Sequence, residues 1–152
     1  MDSFIMLRYE ILAIFGYIAA VFDIKLKKIP NSLILATIAA WVLIMTPKLF
    51  LDADSAIMLL VDSTIGFAIG GGIFLFVYII SRKGIGGGDI KFMAVTGLYL
   101  GYYGVLPAML CGTISAALTG FALILLKKIG RKDAIPLAPF LCAGILVTVF
   151  LL

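Results

Sequence analysis

The longest stretch without a charged side chain in this sequence runs for 35 residues, 92–126, and three further uncharged runs (29–47, 63–81 and 134–152) are 19 residues each. A helix of about 20 apolar residues crosses the hydrocarbon core of a bilayer. The 35-residue run would make a rod of about 52 Å, too long for one crossing. Gly101-Tyr102-Tyr103-Gly104 and Pro107 interrupt it, which predicts two spans joined by a tight hairpin. Phe4–Phe22, carrying Arg8 and Glu10, supplies another span. The expected fold is an all-α membrane protein, a polytopic bundle of about six transmembrane helices near 4–22, 31–47, 56–80, 90–101, 104–126 and 134–152. These form one domain over 1–152. The opening segment lacks the basic start and small-residue cleavage site of a signal peptide.

Composition excludes the alternatives. Apolar residues make up 64% of the chain and charged ones 13%, against about half and about a quarter in a soluble domain. That is too little polar surface for a water-soluble globule, and the opposite of a disordered chain. Close-spaced small residues, such as Gly66, Gly70, Gly71 and Gly72, and Gly112, Ser115, Ala116 and Gly120, predict close helix packing.

The basic residues are distributed unevenly. Ten of the twelve fall after span 1 (Lys25, Lys27, Lys28), between spans 3 and 4 (Arg82, Lys83, Lys91) and between spans 5 and 6 (Lys127, Lys128, Arg131, Lys132). The positive-inside rule then places these connections in the cytoplasm and both termini outside. The net charge of +4 is thus a topology signal, with no basic soluble face for a nucleic acid.

Ionisable residues within apolar spans are costly and direct attention to function. Arg8 and Glu10 lie near an outer interface, where they are expected to snorkel. Asp62 precedes an uncharged run and reads as a helix cap or as an acid facing the interface. Asp23 and Asp89 differ, because both fall at the cytoplasmic boundary. Asp23 ends span 1 ahead of a lysine-rich link, and Asp89 begins span 4 after Gly86-Gly87-Gly88. Two carboxylates converging at one end of a bundle can share a proton. One then activates water as general base while the other polarises a carbonyl as general acid. Seen from the helix ends, Asp89 is the candidate base and Asp23 the candidate acid. This chemistry requires no metal or cofactor. The chain has no histidine, and its two cysteines, Cys111 and Cys142, form no CxxC pair. No GxxxxGK[ST] phosphate loop is present. A different class of function stays open on these residues: a small transporter or channel using Asp23 and Asp89 as ion ligands.

Three motifs bring a resemblance. Gly86-x-Gly88-Asp89-x-Lys91 resembles the GxGDxK signature of the type IV prepilin peptidase family, polytopic aspartic proteases of the GxGD type. Asp23-x6-Pro30-Asn31 resembles that family's first aspartate motif, and Ile135-Pro136-Leu137-Ala138-Pro139-Phe140 resembles the segment leading into its last span. The resemblance implies Asp23 and Asp89 as the catalytic pair, with Pro30, Asn31, Gly86, Gly88 and Lys91 in support. It implies cleavage of the short basic leader from prepilin-like membrane proteins on the cytoplasmic side of the cell membrane. Long family members insert a cytoplasmic domain with paired CxxC motifs after the first span, and many N-methylate the new amino terminus. Here only Ile24–Ile29 joins spans 1 and 2. The resemblance is therefore to the short form, and does not carry the methyltransferase with it.

Overall fold

The structure, a computed structural model, describes residues 3–81, 84–128, 130 and 135–151. Among them are five helices: α1 (Ser3–Leu26), α2 (Asn31–Leu51), α3 (Ala53–Ile80), α4 (Gly87–Leu125) and α5 (Ala138–Leu151). The first four are long and apolar enough to cross a membrane, and α5 is a shorter apolar helix. Large apolar side chains such as Phe50, Phe76, Leu118 and Phe150 point outward. That is the surface of a protein whose solvent is lipid, and the molecule is a multi-pass membrane bundle. Of the expected cytoplasmic basic positions, Arg82, Lys83, Arg131 and Lys132 lie outside the described residues.

The all-α expectation holds, but the count of six does not hold as stated: the fourth and fifth expected spans are one assigned helix, α4, with a break inside it. Gly101 has φ 67° and ψ −174°, a conformation open essentially to glycine alone. The two halves both lie against α3. A Cβ on Gly70 would strike the Met93 carbonyl on one half and stand 3.0 Å from Val105 Cγ2 on the other. The chain therefore doubles back at Gly101, as the sequence predicts. Gly66 and Gly97 meet backbone to backbone, with no room for a side chain on either. Lipid supplies no hydrophobic force between helices, so this close approach is how α3 and α4 gain contact.

The break strands backbone groups that an unbroken helix would pair, and polar side chains replace the missing partners. The Leu98 carbonyl accepts from Arg8 Nη2 and from Trp41 Nε1, both at 2.9 Å. The Tyr102 N–H donates to Asp62 Oδ1 at 3.1 Å. Asp62 thus caps a helix, although the helix is the second half of α4 and not its own. The expectation for Arg8 is corrected: it does not snorkel. It is buried, held by Leu98 and by Ser63 Oγ at 3.2 Å, because the broken helix presents a carbonyl deep in the bundle. Glu10 is exposed.

The first half of α4 is the core of the bundle. Residues 92–97 are all buried, around Phe92, Met93, Tyr99 and the α1 and α5 side chains Leu12, Leu141 and Ile145. The second half of α4 packs on α5 through Gly112 and Gly144, and α5 returns to α1. These packings bring four helix termini to one end: the end of α1 and the starts of α2, α4 and α5.

Candidate active site

α1 stops where Lys27 takes a left-handed turn (φ 49°), its N–H returning to the Asp23 carbonyl at 2.8 Å. This closure replaces the usual glycine with a lysine. The chain needs only residues 27–30 to reach α2, which Pro30 initiates with φ −67° and ψ 141°. Proline suits this position because its fixed φ and missing N–H cost nothing ahead of a helix. Ile29 in the link is buried, which pins the turn to the bundle.

α4 begins on the opposite side of the same depression. Gly86 is its N-cap in an extended conformation (φ −69°, ψ 140°). Asp89 lies in the first turn, its own N–H donating to the Gly86 carbonyl at 3.1 Å. The glycines allow close approach here. A Cβ on Gly86 would stand 2.9 Å from Asp89 Oδ2, and one on Gly88 would stand 3.1 Å from Ile29 Cβ. Gly88 thus lets the α4 start settle on the link that follows Asp23.

The outcome is a cavity of about 290 Å³ lined by Asp23, Lys27, Lys28, Ile29, Asn31, Gly86, Gly87, Gly88, Asp89 and Lys91. Asp23 and Asp89, 66 positions apart in the sequence, share it, and both are buried. Of the supporting residues, Asn31, Gly86, Gly88 and Lys91 line the cavity, and Pro30 acts from behind by starting α2. Lys91 Nζ donates to Asn31 Oδ1 at 2.9 Å, tying the first turn of α4 to that of α2.

The two acids are held differently. Asp23 Oδ2 accepts the Ala138 N–H at 2.9 Å, a buried bond spanning 115 residues. Asp89 Oδ1 is buried and has no hydrogen-bond partner. One carboxylate is therefore anchored to α5, and the other keeps an oxygen uncommitted. Sequence reasoning singled out the Ile135–Phe140 stretch without giving any of its residues a role. Its role is that of a backbone donor at the start of α5, where first-turn N–H groups have no partner inside the helix. Pro136 and Pro139 around Ala138 were the available signal, since proline marks a helix start. No cluster of three or more potential metal ligands occurs among the described residues.

A model of the type IV leader peptidase family matches residues 11–152. The chain is 29% identical over 147 residues to the prepilin leader peptidase/N-methyltransferase of Legionella pneumophila, covering 96% of this chain and 50% of that protein. It is 32% identical over 128 residues to the protein of that name in Bacillus subtilis strain 168, covering 84% and 48%. With the Xanthomonas campestris pv. campestris protein the values are 26% over 120 residues, 78% and 41%. The chain spans about half the length of these curated relatives. No solved structure matches it.

Proposed function

Since this chain belongs to the type IV leader peptidase family, we propose that it is a membrane aspartic endopeptidase. Its substrates are prepilin-like proteins, with a short basic leader ahead of a hydrophobic helix. The observation that carries this reading is the meeting of Asp23 and Asp89 in one cavity at one end of the bundle.

The chemistry follows from that pairing. Aspartic-protease chemistry uses one ionised and one protonated carboxylate side by side. The ionised member takes a proton from water as the water oxygen bonds to the scissile carbonyl carbon. The protonated member gives its proton to the carbonyl oxygen. The tetrahedral adduct collapses with the C–N bond breaking: the member that took the water proton passes it to the leaving nitrogen, one adduct hydroxyl returns its proton to the other member, and the starting state of the pair returns. Asp89, with an unpartnered oxygen, is the member free to face water or carbonyl. Asp23 is oriented by Ala138.

The site faces the cytoplasm and the protein resides in the cell membrane, on the bias of ten basic residues to one side. The lysines along the cavity stand where anionic headgroups would lie. Both acids occupy helix ends, whereas an ion path is built at mid-depth, so the transporter reading gains no support.

The test is co-expression with a prepilin-like protein and detection of leader loss. Asp23→Asn and Asp89→Asn should each insert normally and lose nearly all cleavage, because an amide fills neither role. Asp62→Asn should retain cleavage, since its amide oxygen still accepts from Tyr102. Near-normal processing by either site variant would remove the pair from the mechanism.

A further inference from the structure

Beside the site lies a larger cavity of about 660 Å³ between α2, α3 and the first half of α4. Its walls are apolar, formed by Ile34 and Ile38 of α2, Ala68, Gly72 and Leu75 of α3, and Val95 of α4. Its polar side chains, Asn31 and Lys91, are together at one end, and these two residues also line the cavity of Asp23 and Asp89. The Lys91–Asn31 hydrogen bond thus sits at the junction of an apolar groove with a polar one. Leu35, Phe67 and Leu75 remain exposed along the flank, so the groove opens sideways into the bilayer.

We propose that this groove receives the first two turns of the substrate's apolar helix, immediately beyond the scissile bond. This presupposes the peptidase activity proposed above and adds the surface that recognises the membrane half of the substrate. Three observations select a polypeptide over a lipid tail. The groove is continuous with the carboxylate pair through two shared side chains. Its change from polar to apolar matches a chain that is polar around the cleaved bond and hydrophobic beyond it. Its floor is small: nothing lies within 4 Å of where a Cβ would stand on Gly72, which leaves space for a helix to approach closely. From Asn31 to Ile38 the α2 wall rises about 10 Å, or two helical turns.

Because a Cβ at Gly72 meets nothing within 4 Å, Gly72→Leu places a bulky side chain at the groove without a clash at its first carbon. The probe is a prepilin-like protein with a basic leader ending in glycine and a 20-residue helix of leucine and valine. A second probe has alanine throughout the first two turns of that helix. Gly72→Leu should lower kcat/KM for the bulky probe by about tenfold or more and restore most of the rate on the alanine probe. Leu118→Ala, on the outer face of α4, should process both like wild type. In a protein lacking Cys111 and Cys142 and inactivated by Asp89→Asn, Leu35→Cys should cross-link to a cysteine in the second turn of the probe helix. Equal loss on both probes, no loss on either, or no cross-link would overturn the groove assignment; the last is the outcome for a lipid-filled groove. A wild type that cleaves neither probe would instead overturn the peptidase reading, and this assignment with it.

Discussion

Adding one methyl group at Gly86 should separate the position of Asp89 from the stability of the helix that carries it. The Gly86 backbone, at φ −69° and ψ 140°, is fully open to alanine. The change therefore causes no backbone strain, and at an N-cap it costs less than about 1 kcal/mol. The new Cβ, however, would stand 2.9 Å from Asp89 Oδ2. A carbon and an oxygen without a hydrogen bond need about 3.5 Å, so the carboxylate must retreat by roughly half an ångström. A misplacement of about 1 Å costs near a hundredfold in rate. Half of that predicts a drop in kcat of about tenfold. Gly87, next in sequence, is the internal control, because a Cβ there meets nothing within 4 Å. Single-turnover cleavage of a prepilin-like probe by purified protein in detergent measures the rate, and thermal unfolding of the same samples measures stability. Gly86→Ala should be slow and as stable as wild type, and Gly87→Ala should be unchanged in both. Wild-type cleavage by Gly86→Ala, or an equal loss in Gly87→Ala, would refute the idea that this contact sets the position of Asp89.

Gly101→Ala should cost about 3–5 kcal/mol. Of this about 1–3 comes from the forbidden backbone conformation and the rest from displacing Asp62 from the Tyr102 N–H; unfolding in detergent checks it, and a cost below about 1 kcal/mol would contradict the described break. Cleavage should follow a bell-shaped pH profile, because the proposed mechanism needs one carboxylate ionised and the other protonated. A rate that rises monotonically with pH would exclude a protonated acid. A cysteine replacing Lys27, in a background without Cys111 and Cys142, should react with impermeant reagents from the cytoplasmic side only; reaction from outside would invert the proposed orientation.

The long uncharged runs foretold helices because a bilayer leaves the backbone few other solutions. The reversal near 101–104 was legible in the same way, since a rod of that length cannot fit. Asp23 and Asp89 stood out as acids at the edges of apolar spans, where desolvation makes a charge conspicuous. Arg8 was misread because its environment depends on a carbonyl released 90 residues away, and local hydropathy contains no such information. Ala138 escaped for a related reason: its contribution is an N–H common to nearly every residue, and only the docking of α5 against α1 selects it. Gly72 read as a packing glycine, like Gly66 and Gly70, yet it faces a cavity. Spacing along one helix cannot distinguish a face covered by a neighbour from one left open.

The hydrogen bond from Ala138 to Asp23 has a consequence for biosynthesis. A ribosome that has delivered α1 through α4 has already placed both acids in the membrane, but Asp23 has no amide to orient it. That amide arrives only when α5 has been inserted and has closed against α1. The order of synthesis therefore delays this alignment: until α5 has docked on α1, both carboxylates are present but Asp23 lacks the amide that orients it.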